Sequence, residues 1–377
     1  MFRYTKAMSD YTIRPIDGNF NTAMLGILKD SPIVTGRMTI CFDRQPDIFN
    51  LAKCKYDDYF YQGLFDNEIL KGFGMVGYHK ALVNGIPLEV YCCRDLYVLP
   101  EARGNGFIAK SAETHFRENL HRSPIGYGLV MRGNKAPVKF LGKRPENCSY
   151  FPFSRIINQL HVKTILLTLP VSMNSSYRIR RATAEDIPAI VELLKKEHKD
   201  RLFGHIYHEE SFMLDLQRNP RQTIGDYFLA FDRRGRCCGV CSAWDTSMMK
   251  QTRVRAYGKA FLPARIAWKC LSLLFKLPSL PGPGDHFRDV TIAGYAVKER
   301  NPAIMNALLR AVYTEYRRLG YHLMIWGSSA DDPLLDAAKG FMSQSVISNI
   351  VLFSTDDRWF KEGMIKNHLP YIDVSGI

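Results

Sequence analysis

The chain has 377 residues, more than one hydrophobic core usually supports, so two domains are expected. Its apolar fraction of 46% and charged fraction of 23% are those of a globular protein, and no stretch approaches the roughly 20 apolar residues that cross a bilayer. The net charge of +14 is spread over both halves, which argues against a basic nucleic-acid-binding tail and fits an anionic cofactor.

The nine cysteines are odd in number and mostly lie in apolar, strand-like contexts, as in Cys92-Cys93 and Cys237-Cys238. This pattern indicates buried thiols in a reducing compartment rather than a disulfide framework. The first ten residues contain no apolar run of the kind that marks a signal peptide. We therefore expect a cytoplasmic protein without a transmembrane segment.

In chain order, the hydrophobic pattern of the first half predicts strands and helices that surround one central strand. This strand begins near Leu88, after the hairpin signal Asn84-Gly85, and ends at Pro100, which has no N–H to donate. A helix then runs to about residue 119. The other predicted elements are strands at 11–14, 56–65, 70–82, 126–131 and 156–169, and helices at 21–28, 47–53 and 135–141.

The turn between the central strand and its helix is the stretch most suited to chemistry. It contains the run Arg103-Gly104-Asn105-Gly106. Converging backbone N–H groups, the positive end of the helix dipole and the missing side chains of the glycines favour the binding of phosphate.

This stretch resembles the acyl-CoA-binding motif of the GCN5-related N-acetyltransferase superfamily, R/Q-x-x-G-x-G/A. Arg103 fills the first position and Gly106 the fourth, whereas Ile108 stands where the family usually has Gly or Ala. The resemblance implies that acetyl-CoA is the acyl donor. The implied cofactor-binding residues are Leu96, Tyr97, Val98, Arg103, Gly104, Asn105, Gly106, Phe107, Ile108 and Asn134.

The second half of the chain repeats the first. Tyr11-Thr12-Ile13-Arg14 is matched by Tyr177-Arg178-Ile179-Arg180 at an offset of 166, but Arg103 is matched by Arg300 at an offset of 197. The difference places an insertion between Trp244 and Val290.

We expect an α/β fold of two tandem domains of this superfamily's type, each a mixed central sheet flanked by helices. Residues 1–170 would bind acyl-CoA, and residues 177–377 would be a degenerate copy with a helical insertion at about 245–289.

The second copy has lost the phosphate-binding turn. The run Arg300-Asn301-Pro302-Ala303 keeps the arginine but has neither glycine, and Pro302 also removes a backbone donor. We expect this copy to shape the acceptor site or to form the interface of a homodimer.

Acetyl transfer to an amine needs a general base. In the sequence, a candidate for this base can be chosen only by its position on the central strand. In the resembling family the base is frequently a Glu on the central strand, at the position of Cys92. Asp95 and Glu89 are the nearby carboxylates, and Asp95 is the first choice. The alternative for each is a strand-end carboxylate in water or in an ion pair. The family's tyrosine acid falls on Val138, so either solvent or an unplaced tyrosine such as Tyr150 would protonate the leaving thiolate.

Metal binding is not expected. Cys238 and Cys241 have the spacing of a metal site but lie in a predicted strand without a second cysteine pair. His205 and His208 precede two glutamates in a predicted loop that offers no obvious third ligand.

Two apolar segments each have more than one interpretation. The aromatic residues of 56–61 are most simply a half-buried strand face, or they line an acceptor pocket. Residues 259–277 combine apolar and basic side chains and predict a helix that ends at Pro278. This helix would pack between the domains, cover an acyl-chain pocket or make weak contact with a membrane surface.

These observations predict an N-acyltransferase that moves acetyl from acetyl-CoA to the primary amine of a small molecule or peptide. Two alternatives remain open, an acyltransferase for longer chains and a non-catalytic acyl-CoA sensor or scaffold. The missing Glu and Tyr positions permit the second alternative. No nucleic-acid partner is expected.

Overall fold

The computed structural model describes residues 11–34, 38–119, 122–134, 152–173, 176–275, 278–365 and 369–377. The helices are α1 (Asn21–Lys29), α2 (Asn50–Lys55), α3 (Phe107–Asn119), α4 (Ile187–Lys199), α5 (Glu209–Arg218), α6 (Leu262–Phe275) and α7 (Pro302–Arg318). The strands are β1 (Tyr11–Ile16), β2 (Ile33–Val34), β3 (Met38–Asp43), β4 (Asp58–Asp66), β5 (Ile69–Val83), β6 (Ile86–Val98), β7 (Gly126–Met131), β8 (Phe153–Leu166), β9 (Arg178–Arg181), β10 (Tyr227–Phe231), β11 (Cys237–Trp244), β12 (Gln251–Tyr257), β13 (Asp289–Val297), β14 (Leu323–Ser329) and β15 (Ser343–Ser354).

One mixed sheet of 12 strands runs through both halves, in the order β1-β4-β5-β6-β7-β15-β8-β14-β13-β11-β10-β9. The order is symmetric about its centre, because β4 to β7 in the first half match β10, β11, β13 and β14 in the second. Helices flank this sheet, so the predicted α/β class with a mixed central sheet is confirmed.

The two halves exchange their last strands. β8 of the first half pairs antiparallel with β14 of the second, and β15 of the second half pairs antiparallel with β7 of the first. β8 and β15 also pair with each other. The hydrophobic core of the first half therefore includes Ile350 and Leu352, which β15 supplies. The division into residues 1–170 and 177–377 remains a prediction, and the sheet crosses it.

The insertion holds a strand as well as the predicted helix. β12 pairs antiparallel with β3 of the first half in a small sheet of three strands. Arg253 of β12 also forms an ion pair with Asp43 of β3 at 2.5 Å. The predicted helix begins with a short 3-10 turn, and α6 then ends at Phe275. The sequence pattern missed β12 because its partner is more than 200 residues away in the chain.

A bulge in β6 opens the sheet of the first half. Met75 of β5 pairs with Arg94, but Phe73 pairs with Tyr97, so β6 holds one extra residue. Within the bulge Asp95 has a φ of +55°, a left-handed conformation that Asp adopts more readily than most residues. The parallel pairing of β6 with β7 ends at Cys93. Beyond this point the two strands diverge.

A buried ion pair holds the bulge. Arg44 donates to both carboxylate oxygens of Asp95, at 2.5 and 2.8 Å, and Arg94 donates at 3.3 Å. The side chains of Arg44 and Asp95 are 2% and 5% exposed. Burial alone would raise the pKa of Asp95, but the two guanidinium groups outweigh it and hold the pKa well below its ordinary value.

The first prediction concerns the cooperativity of unfolding. Because the halves share a sheet and exchange strands, we expect them to unfold in one transition. The four tryptophans, Trp244, Trp268, Trp326 and Trp359, all lie in the second half, whereas the strands lie in both. In urea, tryptophan fluorescence and far-ultraviolet circular dichroism should therefore give the same midpoint. Two separate midpoints would contradict the interlocked architecture.

The second prediction concerns the ion pair at the bulge. Asp95→Ala should lower the free energy of unfolding by about 3–5 kcal/mol, because Arg44 would stay buried without a partner. Asp95→Asn should cost less, since Asn tolerates the left-handed conformation and still accepts a hydrogen bond. Asp58→Ala is the control. Asp58 forms an exposed ion pair with Arg122, and its loss should cost about 1 kcal/mol or less in urea titrations at pH 7. A cost below about 1 kcal/mol for Asp95→Ala would show that the pair does not hold the bulge.

Candidate functional site

A cavity of about 590 Å³ passes through the sheet where β6 and β7 diverge. Successive residues of β6 face its two sides. Cys93 packs with Phe116 of α3, whereas Cys92 packs with Tyr56 and Tyr127 on the opposite side of the sheet. We call these the α3 side and the inner chamber. A ligand lying along α3 can therefore reach through the sheet to the inner chamber.

The predicted phosphate-binding turn lies at the end of β6 beside the α3 side of the cavity. Gly104 and Gly106 have φ values of +88° and +75°, and a Cβ atom at either position would meet no atom within 4 Å apart from those of its chain neighbours. The backbone carbonyl of Gly106 accepts the hydrogen bond from Lys110 N that opens α3. The N–H groups of the first turn of α3 have no carbonyl partners within the helix. The turn thus offers open space, left-handed glycines and free backbone donors in one place.

Arg103 and Asn105 take structural positions in this turn. Arg103 Nε donates to the carbonyl of Val98 at 3.1 Å, which lays the exposed guanidinium along the end of β6. The side chain of Asn105 donates to the carbonyl of Ala102 at 3.1 Å. Both contacts tie the turn to the strand before it and leave the backbone donors accessible.

The other predicted cofactor-binding residues divide into two groups. Leu96, Tyr97, Ile108 and Asn134 line the cavity. The side chain of Phe107 is buried in a small core, and Val98 packs partly against that core. These two residues could meet a ligand through their backbone atoms, while their side chains anchor the turn.

The structure separates the two carboxylates that were predicted as general bases. Asp95 lines the cavity, but it is held by Arg44 and Arg94 and its low pKa makes it a weak proton acceptor. Glu89 forms ion pairs with Arg122 near the start of β6 and is not among the residues that line the cavity. Both carboxylates are therefore held in ion pairs, which was the alternative to their role as general base. Val138 and Tyr150, the positions considered for the acid, lie outside the described residues.

Both halves of the chain build the inner chamber. The first half supplies Tyr56, His79 and Tyr127. The second half supplies residues of the loop 200–208 between α4 and α5, which we call the bridging loop, and residues of the segment 371–377. Of the predicted aromatic stretch, Tyr56 and Phe60 line the cavity, whereas Tyr59 and Tyr61 pack in the core of the first half.

The bridging loop is fixed onto the sheet of the first half. Leu82 N of β5 donates to the carbonyl of Gly204 at 2.7 Å. The ring of Phe203 lies against Tyr127, with 4.6 Å between the ring centroids. These contacts place His205 and Tyr207 in the inner chamber. His205 Nε2 lies 2.8 Å from a carboxylate oxygen of Asp215 in α5, and Asp215 also lines the cavity.

An ion pair between the two halves completes the chamber. Lys55 of α2 forms an ion pair with Asp373 at 2.9 Å and lies over the ring of Trp244. Burial would raise the pKa of Asp373, but Lys55 and the hydrogen bonds from Ser375 outweigh it and lower the pKa to about 2. Sequence patterns gave no signal for Lys55 and Asp373, because they lie more than 300 residues apart.

The second half has an equivalent opening, and the chain itself fills it. β13 and β14 stop pairing after Thr291, and Gly294 has a φ of +45° at the bulge position. A short helix, Val374–Gly376, packs against both strands in this gap. A side chain added at Gly327 of β14 would lie 2.8 Å from Val374. The second opening therefore offers no counterpart to the cavity of the first half.

His208 does not share the environment of His205. Its Nδ1 accepts from Ser211 N at 3.1 Å and caps the start of α5, which includes the two glutamates expected in a loop. Among the described residues, no group of three or more His, Cys, Asp or Glu side chains is arranged to hold a metal ion. No helix in the described part of the chain is both long enough and apolar enough to cross a membrane.

Comparisons with known structures identify the type of fold. No protein-family model matches the sequence, and no curated protein is similar to it in sequence. A GCN5-related N-acetyltransferase from Sphaerobacter thermophilus matches 97% of this chain over 98% of its own, with a TM-score of 0.55 and 12% identity. N-myristoyltransferase of Saccharomyces cerevisiae, solved with myristoyl-CoA, matches 92% of this chain over 78% of its own, with a TM-score of 0.57 and 12% identity.

A third similar structure is the glucosamine N-acetyltransferase region of a fungal multi-domain β-N-acetylglucosaminidase. Its TM-score is 0.59 at 13% identity, and it matches 92% of this chain but only 38% of the fungal chain. At these identities the likeness concerns the fold. The chain has the fold of the GCN5-related N-acetyltransferases and the N-myristoyltransferases, as the R-G-N-G turn predicted.

Proposed function

We propose that this protein is an N-acyltransferase that takes its acyl group from an acyl-CoA and transfers it to a primary amine. The observation that carries the proposal is the cavity through the sheet. It joins the face along α3, the helix that begins at the glycine turn, to an inner chamber with polar and aromatic walls. A thioester lying in the gap between β6 and β7 would have its CoA on the α3 side and its acyl carbonyl within reach of an amine in the chamber.

The chemistry requires little of the protein beyond placement and proton transfer. The pairing of β6 with β7 ends at Cys93, so the N–H groups of β6 that face β7 beyond this residue can donate to the thioester carbonyl. The amine nitrogen attacks the carbonyl carbon, the C–N bond forms, the C–S bond breaks and CoA leaves as the thiol. The acceptor is a small-molecule or peptide amine, and acetyl is the proposed acyl group.

A longer acyl chain is the second candidate, and one observation favours it. The α3 side of the cavity has apolar walls, to which Phe60, Val76, Phe116 and Phe353 contribute. One of the similar structures was solved with myristoyl-CoA bound. If the chain lies in this part of the cavity, each buried methylene should add about 0.8 kcal/mol to binding, or about fourfold in affinity.

The third prediction is one acyl-CoA site per chain, at the turn with Gly106. Calorimetry with acetyl-CoA should give a stoichiometry near one, because the second opening is filled by residues 374–376. Gly106→Glu should weaken binding by on the order of 3 kcal/mol, about a hundredfold, since it places a carboxylate against the phosphates. Gly106→Ala is the matched control, because both variants share the strain of the positive φ and only one adds charge.

Two further variants compare the arginines of the two copies. Arg103→Ala should weaken acetyl-CoA binding by about 1–3 kcal/mol, because the backbone donors remain. Arg300→Ala should leave the affinity unchanged, since Arg300 forms an ion pair with Glu197 in the copy without a cofactor site. A stoichiometry near two, or equal affinities of Gly106→Glu and Gly106→Ala, would overturn the assignment of the turn.

The fourth prediction separates an enzyme from a sensor. Release of free thiol from acetyl-CoA should rise on addition of at least one amine from a panel containing a glycyl peptide, a hexosamine and a linear diamine. A binding series from acetyl-CoA to myristoyl-CoA should then show whether affinity rises with chain length. Binding of acyl-CoA without thiol release for any amine would favour the sensor or scaffold.

A further inference from the structure

The inner chamber lacks an assigned general base, because the two predicted carboxylates are held in ion pairs. The described residues that line the chamber include two histidines, His79 of β5 and His205 of the bridging loop. Histidine is the side chain best suited to exchange a proton near neutral pH. The question is which of the two can act on an amine.

His79 is poorly suited to this role. Burial, with a smaller contribution from His205, lowers its pKa to about 4. Its Nδ1 is buried and has no hydrogen-bond partner. A ring that resists protonation cannot hold a proton taken from an amine.

His205 has the arrangement that His79 lacks. Its Nε2 lies 2.8 Å from the carboxylate of Asp215, which orients the ring. Because a carboxylate oxygen accepts, Nε2 carries the hydrogen and Nδ1 carries the lone pair. The side chains of His205 and Asp215 are 35% and 33% exposed, so a proton can pass on to solvent.

Contacts on both sides of His205 fix its place in the wall of the inner chamber. The backbone N–H of His205 donates to Nδ1 of His198 at 3.0 Å, and the ring packs edge-on to Tyr207. The preceding residues, Phe203 and Gly204, are attached to the first half through Tyr127 and Leu82. The second half thus delivers His205 to the cavity of the first half.

We propose that His205 is the general base of acyl transfer and that Asp215 is its positioning residue. This inference rests on the proposed function. His205 Nδ1 takes the proton from the acceptor amine as its nitrogen attacks the thioester carbonyl. The C–N bond forms and the C–S bond breaks. The CoA thiolate takes up the proton of the imidazolium, directly or through water, so the products are the amide, free thiol and neutral His205.

The experiment uses the full-length protein, acetyl-CoA and the amine that gives the highest thiol release with the parent. His205→Ala should lower kcat by about 10²- to 10⁴-fold and leave the Kd for acetyl-CoA, measured by calorimetry, within about twofold. Added imidazole should restore part of the lost kcat, which a merely structural role of His205 would not allow. Unchanged acetyl-CoA binding also shows that the variant is folded.

The matched control is His208→Asn, in the same loop. His208 does not line the cavity, and Asn preserves the cap of α5. This variant should keep the parent kcat. Asp215→Asn should lower kcat without changing KM for acetyl-CoA. It should gain less from imidazole than His205→Ala, because the ring of His205 still fills the site in this variant.

The outcomes distinguish this inference from the function on which it rests. If the parent turns over the amine and His205→Ala retains kcat within about threefold, His205 is not the base while the acyltransferase function stands. A kcat loss that imidazole does not restore assigns His205 a structural role and overturns the inference. If the parent releases no thiol with any amine, the proposed function fails and the inference fails with it.

Discussion

The opening in the sheet depends on the ion pair between Arg44 and Asp95. Without an extra residue in β6, its parallel pairing with β7 would continue past Cys93 and close the gap. The extra residue is stable in a left-handed conformation because its carboxylate meets a buried bidentate guanidinium. The second half makes the same bulge with Gly294, which needs no ion pair to reach a positive φ. The first half therefore combines the opening with a charged group at its edge.

The two halves use the same opening differently. In the second half, residues 374–376 fill the gap and make the fold compact, whereas in the first half the gap remains a cavity. The exchange of β8 and β15 and the pairing of β12 with β3 join the copies into one body. This union has a consequence for the site, because the bridging loop and Asp373 can lie in the inner chamber only if the halves are fixed relative to each other. The second half thus contributes residues to the cavity of the first half.

The features of the fold that local patterns determine could be predicted from the sequence. The glycines at 104 and 106, the strand before them and the repeat at Tyr177 led to the correct fold, because turn chemistry and hydrophobic periodicity act over a few residues. The same reasoning could not find β12, the exchanged strands or the neighbourhood of His205 and Asp215, since each depends on partners far apart in the chain. Asp95, predicted as the general base from its position on the strand, does line the cavity, but its ion pair with Arg44 has no local signal.

The ion pair also explains why the general base should lie elsewhere. A base changes charge in every catalytic cycle, and protonation of Asp95 would leave Arg44 buried opposite a neutral group. Breaking such a pair costs about 3–5 kcal/mol, which would be added to the barrier of each turnover or would loosen the bulge that forms the site. A proton on the ring of His205 would not carry this cost, because its partner Asp215 is partly exposed and, among the described residues, forms no ion pair with a buried cation. In the proposed mechanism, holding the sheet open and moving a proton are therefore tasks for different residues, and the second half supplies the residue that moves the proton.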